Sequence, residues 1–133
     1  MNLVIDASAA VELLLRTEVG LRVEATVASA ELFAPELLDV EVTAVFRREV
    51  LRKRLSQARA LEALEDLVAW PVERVSHRAL VQQAFRFRDN VSAYDAFYLA
   101  VALARGADVV TVDGPLARLP VRTGVVVHDL RLQ

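Results

Sequence analysis

The sequence predicts an α/β fold in which a central, mostly parallel sheet of about four or five short strands carries helices on both faces. Short apolar runs, typical of strands buried on both faces, alternate along the chain with segments of helical spacing. The clearest runs are residues 3–5, 108–112 and 125–127. Strands joined by helices form parallel sheets with right-handed crossovers. The 133 residues fit one domain, spanning 1–133.

The first half of the chain contains two strand-like runs and four helical segments. Asp6 and Ser8 supply capping chemistry after the first run, Pro35 closes the second, and Ser56 opens the fourth helix. The acidic start and basic end of segment 36–54 suit a helix dipole. The predicted elements are strand 3–5, helix 9–15, helix 21–30, strand 32–34, helix 36–54 and helix 56–68.

The sequence of the second half predicts a weak strand, two helices, one buried strand and a last strand. Pro71 is typical of an edge strand, because proline cannot donate to a sheet ladder. Ser76 and Ser92 stand where helices begin, and Gly106 stands where the second of them ends. The predicted elements are strand 70–72, helix 76–87, loop 88–90, helix 92–105, strand 108–112, turn 113–115 and strand 125–127.

Composition excludes several classes of protein. The chain has no cysteine, which removes disulfides and thiolate metal sites. Because the net charge is −2, any binding of nucleic acid must depend on a local region of the surface rather than on the overall charge. The longest apolar stretch, 96–104, is far shorter than the ~20 residues of a membrane span, and no basic leader opens the chain. We therefore expect a cytoplasmic protein without a membrane segment, whose 55% hydrophobic content favours association with a partner or with its own copies.

Four carboxylates fall where this fold would gather them. Asp6 and Asp113 end predicted strands, and function collects at the carboxyl ends of strands in such sheets. Asp95 opens a helix that is apolar nearly all round, and Glu41 lies inside an apolar helical stretch. The neighbours of Glu41 expected to pack inward are Leu37, Leu38, Val42, Ala44 and Val45. Grouped carboxylates repel by about 4 kcal/mol per pair at ~4 Å and a dielectric of ~20, so the group requires a cation.

Each acid also has an ordinary structural interpretation. Asp6 is a candidate helix N-cap, Glu41 can complement a helix dipole, and Asp113 suits a turn. Asp95 completes an S-x-x-D capping box with Ser92. These ordinary roles explain the pattern only if all four acids stand at their positions by coincidence. An all-oxygen ligand set favours Mg²⁺ or Mn²⁺ over zinc.

At these residues the sequence resembles the PIN-domain ribonucleases, and within them the VapC-type toxins of bacterial and archaeal toxin–antitoxin pairs. The likeness extends over essentially the whole chain and rests on the order and context of several motifs. These are VIDAS at 4–8, LDVEV at 38–42, YDAFYLA at 94–100 and TVDGPL at 111–116.

The resemblance implies Mg²⁺- or Mn²⁺-dependent endonucleolytic cleavage of RNA, inhibition by a cognate antitoxin, and a homodimer or higher oligomer. It implies that the catalytic acids are Asp6, Glu41, Asp95 and Asp113, and that the polar residues supporting them are Ser8 and Thr111. No acid of this quartet is missing, which disfavours an inactive member of the family.

The expected chemistry is in-line attack on a phosphodiester by water that the metal activates. We expect Asp6 and Asp95 to be the main metal ligands, with Glu41 and Asp113 completing the site. Ser8 and Thr111 would orient the carboxylates. The candidate contacts to RNA are Arg86 and Arg88.

Three other functions share some features with this sequence. A response-regulator receiver requires adjacent acids after the first strand and a late lysine, but Ala7 follows Asp6 and Lys53 is the sole lysine. A haloacid-dehalogenase-like phosphatase requires D-x-D, and Ser8 occupies the third place. A non-catalytic interaction module is compatible with the apolar composition, and a metal titration would distinguish it from the nuclease.

Overall fold

The computed structural model of the protein describes residues 1–120 and 123–132. Within them, five parallel strands form one sheet in the spatial order β3-β2-β1-β4-β5. The strands are β1 (Asn2–Ile5), β2 (Glu31–Pro35), β3 (Val72–Val75), β4 (Asp108–Thr111) and β5 (Val127–Asp129). The helices are α1 (Ala7–Leu15), α2 (Glu18–Val27), α3 (Leu37–Leu51), α4 (Gln57–Ala69), α5 (Val81–Phe85), α6 (Ala93–Arg105) and α7 (Gly114–Ala117), with a 3₁₀ turn at His77–Leu80. The predicted α/β fold is confirmed.

Helices cover both faces of the sheet. Leu3, Val4 and Ile5 are consecutive in β1 and are each at most 1% exposed. Because successive side chains of a strand point to opposite faces, both faces must be packed. Helices α1 to α4 contact one another as one group, and α5 and α6 form a second group with the 3₁₀ turn. No helix of the described ranges is long and apolar enough to cross a bilayer.

The topology brings distant segments to the carboxyl edge of the sheet. Strand β1 lies at its centre and pairs with β4, with Ile5 opposite Val110. The residues that follow β1 and β4 are therefore neighbours. Helix α3 begins just after β2 ends, and α6 contacts β1, β2 and β4. Segments that are far apart in the chain thus meet at one edge.

Helix α2 and strand β3 differ from their predicted bounds. Helix α2 begins at Glu18 rather than at residue 21, because the Thr17 side chain caps it by accepting the Gly20 N–H at 3.0 Å. Strand β3 begins after Pro71 and runs to Val75, at the sheet edge as predicted. Arg74 anchors it by donating to the carbonyl oxygens of residues 67 and 70 and to the carboxylate of residue 39.

Four further details correct the sequence prediction. Residues 113–115 do not form a simple turn, because Gly114 begins α7, whose first turn accommodates Pro115 without loss of a hydrogen bond. The last strand lies two residues later than predicted, because pairing with β4 rather than apolarity sets its register. The first turn after Ser76 is a 3₁₀ turn, and Ser76 makes no capping bond. Ala44 is exposed rather than packed inward.

Candidate active site

Asp6 lies at the end of β1, where it is only 3% exposed. Its Oδ1 accepts the Ser8 hydroxyl at 2.8 Å and the Ala9 N–H at 2.9 Å. Its Oδ2 accepts the Thr111 hydroxyl at 2.5 Å. The bond to Ala9 caps α1, so the predicted capping role exists alongside the contacts to the other polar groups. A carboxylate has about four lone-pair sites, so these three bonds leave one for another ligand.

Ser8 and Thr111 join the ends of two neighbouring strands. Their hydroxyl oxygens lie 3.3 Å apart, and both contact the Asp6 carboxylate. The Ser8 oxygen also accepts the Val112 N–H at 3.2 Å, and the Thr111 oxygen accepts the Asp113 N–H at 2.9 Å. Thr111 is fully buried. This network fixes the backbone that carries Asp113 relative to the Asp6 carboxylate.

Glu41 reaches the same region from α3 through a contact with α6. The Tyr98 hydroxyl donates to Glu41 Oε1 at 2.6 Å, and Tyr98 is 1% exposed. We did not predict a role for Tyr98 from the sequence, because an aromatic residue inside an apolar helix usually indicates core packing. One signal was available: a buried tyrosine hydroxyl usually has a hydrogen-bond partner.

The capping-box role of Asp95 and the turn role of Asp113 do not occupy their carboxylates. The Asp95 N–H donates to Ser92 Oγ at 3.2 Å and so caps α6. Among the described residues, the reciprocal bond of a capping box, from the Ser92 N–H to the Asp95 carboxylate, is absent. Asp113 stands at the N-cap of α7, and its side chain makes no capping bond. Both carboxylates therefore retain acceptor capacity.

Burial and mutual repulsion raise the pKa of three of these acids. Burial is the first cause in each case, and it raises the pKa of Asp6 to about 6. Asp95 raises the pKa of Asp6 and of Glu41, and Asp113 raises that of Asp95. Neighbouring hydroxyl groups oppose these shifts. Within the described part of the chain, no arginine or lysine contributes to the shifts of Asp6, Glu41 and Asp95, and Asp95 links these acids to Asp113.

The donor chemistry of this cluster fits a hard divalent cation. The available ligands are all oxygens, which suits Mg²⁺ or Mn²⁺. In residues 1–120 and 123–132, no three acidic or histidine side chains converge closely enough to hold an ion as they stand. An ion held by three of them would require the carboxylates to move towards one another. A cation would offset the repulsion that this movement increases.

Arg86 and Arg88 lie outside the acid cluster, in the turn that follows α5. Neither forms an ion pair within 4.0 Å with any of the four acids, all of which are described. The Arg88 guanidinium lies over the Phe85 ring, 4.8 Å from its centroid. Arg88 lines an apolar groove of about 690 Å³ between α5 and the start of α6. Contact of these two arginines with RNA stays a prediction.

Comparison with known proteins relates this chain to ribonucleases. The PIN domain family model matches residues 3–121. Ribonuclease VapC12 of Mycobacterium tuberculosis is 34% identical over 116 residues, which cover 87% of this chain and 90% of that protein. Ribonuclease VapC1 of the same organism is 39% identical over 88 residues, covering 65% of this chain and 66% of that protein.

A solved structure shares the fold. The crystal structure of VapBC2 from Rickettsia felis bound to a DNA fragment from the VapBC2 promoter matches this chain with a TM-score of 0.66 and 12% sequence identity. The match covers 97% of this chain and 98% of that chain. The family model covers most of the chain, and a VapC ribonuclease matches over most of its own length. The chain therefore belongs to the PIN domain family and, within it, groups with the VapC ribonucleases.

Proposed function

We propose that this protein is a divalent-metal-dependent endoribonuclease and the toxin of a VapBC-type toxin–antitoxin pair. The observation that carries the proposal is the cluster of four carboxylates, coupled through Asp95, with no basic side chain contributing to the raised pKa values in the described residues. Such a cluster attracts a cation. The relatives named as VapC ribonucleases support RNA as the substrate.

The side chains have distinct roles in this proposal. Asp6 and Asp95 are the main candidate ligands for Mg²⁺ or Mn²⁺, and Glu41 and Asp113 complete the set. When bound, the metal supplies an activated water and neutralises charge on the leaving oxygen of the phosphodiester.

The neighbouring hydroxyl groups hold the ligands. Ser8 and Thr111 fix both oxygens of the Asp6 carboxylate, since each donates to a different one. Tyr98 holds Glu41 by donating to its Oε1. These bonds restrict the rotation of the carboxylates before a cation arrives, and this restriction lowers the conformational entropy lost on binding.

The partners of this proposal are an RNA substrate, a cognate antitoxin protein and a second copy of the chain. The similarity to VapC ribonucleases supports the proposal that a cognate antitoxin is one of these partners. Exposed large apolar side chains, among them Val68 and Phe85 at 83% and 66% exposure, support association. We also propose that residues 1–133 form one domain and that the protein acts in the cytoplasm.

Substitution of Asp95 tests the proposal. Purified Asp95→Asn should lose Mg²⁺- and Mn²⁺-dependent cleavage of RNA, because it removes the acid that is coupled to the other three. Its circular dichroism spectrum should remain that of the wild type. Asp66→Asn is the matched control, since Asp66 is an exposed carboxylate on α4. Undiminished cleavage by Asp95→Asn would refute the assignment.

A calorimetric titration separates the enzyme from a pure interaction module. The wild-type protein should bind Mn²⁺, and Asp95→Asn should bind it at least tenfold more weakly. A module that only binds a regulatory peptide has no reason to take up the ion at this cluster. Absence of Mn²⁺ binding by the wild type would favour the interaction module.

A further inference from the structure

Two arginine side chains converge over Gly114, the residue that follows Asp113. A Cβ placed on Gly114 would lie 2.7 Å from Nη1 of Arg118 and 3.2 Å from Nη1 of Arg131. The two guanidinium groups therefore share one small region of space. They can do so because residue 114 has no side chain, and any larger residue would displace them.

Asp129 sets the orientation of one of these arginines. Its carboxylate accepts from Nε of Arg131 at 2.9 Å and from Nη2 at 2.6 Å. These bonds use one edge of the guanidinium and leave Nη1, the atom that faces Gly114, available. An oriented guanidinium loses less conformational entropy when it binds a ligand than a freely rotating one.

Local ion pairing does not account for this convergence. Among the described residues, Arg118 has no ion-pair partner within 4.0 Å, and neither arginine pairs with Asp113 within that distance. Like charges held together without enough carboxylates to balance them repel. Within 4.0 Å the two arginines share the single carboxylate of Asp129, which pairs with Arg131, so an anion would give the Arg118 guanidinium a direct partner as well.

The arginine pair lies beside the acid cluster. Asp113 precedes Gly114 in the chain, and its charge acts both on Asp95 and on Arg131. An anion held between the guanidinium groups would therefore lie next to the carboxylates that are expected to bind the metal. This arrangement suits a scissile phosphodiester, because one of its oxygens could contact a cation while another is held by the guanidinium groups.

We propose that Arg118 and Arg131 form a phosphate-binding site that positions the RNA backbone beside the acid cluster. This inference rests on the proposed ribonuclease function. The planar fork of arginine matches the oxygens of a phosphate, and two forks that approach the same point can hold one phosphate group together. Both residues act as positioning residues, and the site is separate from Arg86 and Arg88.

The test is the binding of a short single-stranded RNA in the presence of EDTA, so that cleavage does not occur. The double variant Arg118→Ala/Arg131→Ala should bind at least tenfold more weakly at low salt. Its plot of log affinity against log salt concentration should be shallower by about 0.7, the contribution of one contacted phosphate on a single strand. Unchanged affinity and slope would overturn the proposal.

The matched control is Arg54→Ala. Arg54 is exposed, and it uses Nε and Nη2 on one carboxylate, Glu49, much as Arg131 does on Asp129. It follows the C-terminal end of α3, which lies about 15 Å along the helix from Glu41. This variant should bind RNA within twofold of the wild type. An equal loss in Arg54→Ala would show a general charge effect and overturn the specific site.

A second variant moves the guanidinium groups without removing charge. Gly114→Ala places a methyl group against the flexible ends of both side chains, which can shift while the backbone stays in place. It should weaken RNA binding several-fold and leave the thermal unfolding midpoint unchanged. Wild-type affinity in this variant would contradict a site at Gly114.

Metal binding separates failure of this inference from failure of the proposed function. The double arginine variant should bind Mn²⁺ no more weakly than the wild type, because loss of positive charge beside Asp113 cannot weaken cation binding. If the wild type cleaves RNA with Mn²⁺ and the variant binds and cleaves equally well, only the arginine site is refuted. If the wild type neither binds Mn²⁺ nor cleaves RNA, the ribonuclease proposal itself fails.

Discussion

Replacement of Asp6 by asparagine should make the metal-free protein more stable at neutral pH. Burial raises the pKa of Asp6 from 3.8 to about 6. One pKa unit corresponds to about 1.4 kcal/mol, so the ionised carboxylate lowers the free energy of unfolding by about 3 kcal/mol. Asparagine preserves the contacts: its Oδ1 accepts from Ser8 and Ala9, and its Nδ2 can donate to the Thr111 hydroxyl.

The effect has a defined pH dependence. The folded state holds the Asp6 proton more tightly than the unfolded state does. Stability therefore falls with rising pH across the range in which the unfolded state has lost this proton and the folded state still retains it. The penalty is absent below about pH 4 and is complete once the pH has passed the folded pKa of about 6. The pKa values of Glu41 and Asp95 are also raised, so these acids too lower the stability of the wild-type protein as the pH rises. The difference between Asp6→Asn and wild type isolates the contribution of Asp6.

Urea unfolding in EDTA, followed by far-ultraviolet circular dichroism, measures this difference. The variant should exceed the wild type by about 3 kcal/mol at pH ~7.5 and by close to zero at pH ~4. Saturating Mn²⁺ should stabilise the wild type at pH ~7.5 and leave the variant nearly unchanged. Asp66→Asn should change neither value. Equal stability of Asp6→Asn and wild type at pH ~7.5, or a gap that does not vary with pH, would refute the reasoning.

Three further substitutions test the network and the packing. Tyr98→Phe removes the hydrogen bond that lowers the pKa of Glu41 and fixes its carboxylate. The Mn²⁺ affinity measured by calorimetry should therefore fall about three- to tenfold, consistent with one lost bond of about 1 kcal/mol. Thr111→Val removes a buried donor and acceptor from the cluster and should cost about 1–3 kcal/mol in urea unfolding, so an unchanged midpoint would contradict its role. Gly20→Ala places a Cβ within clash distance of the Glu12 carbonyl oxygen, between α1 and α2. The free energy of unfolding, measured by thermal unfolding, should fall by about 1–3 kcal/mol. A stability equal to that of the wild type would contradict the close approach of the two helices.

The positions of Asp6 and Asp113 could be predicted because they depend on short-range patterns. Each follows an apolar strand, and parallel strands place their carboxyl ends at the same edge. The residue that follows each strand is therefore expected at that edge whichever strands are neighbours. The pairing of β1 with β4 made the two acids neighbours. Sequence periodicity alone does not specify that pairing.

The contacts of Tyr98 and Arg131 could not be predicted, because they depend on how separate elements pack. Tyr98 meets Glu41 across 57 positions of sequence, through the contact of α6 with α3. Arg131 reaches Gly114 only because β5 pairs with β4 two residues later than apolarity indicated. A strand at an exposed edge gains its backbone hydrogen bonds whatever side chains it carries, so its register is poorly encoded in local composition.

Asp6 and Glu41 are supported by hydroxyl groups rather than by basic side chains, and this has a consequence for ion binding. Ser8 and Thr111 donate to Asp6, Tyr98 donates to Glu41, and all three bonds lower the pKa values that burial raises. A neutral donor makes ionisation less costly without cancelling the negative charge. An arginine or lysine at the same place would form an ion pair and remove the attraction for a second cation. The three hydroxyl groups therefore keep the carboxylates of Asp6 and Glu41 ordered and still negatively charged, which is the electrostatic state that a divalent metal site requires before the ion arrives.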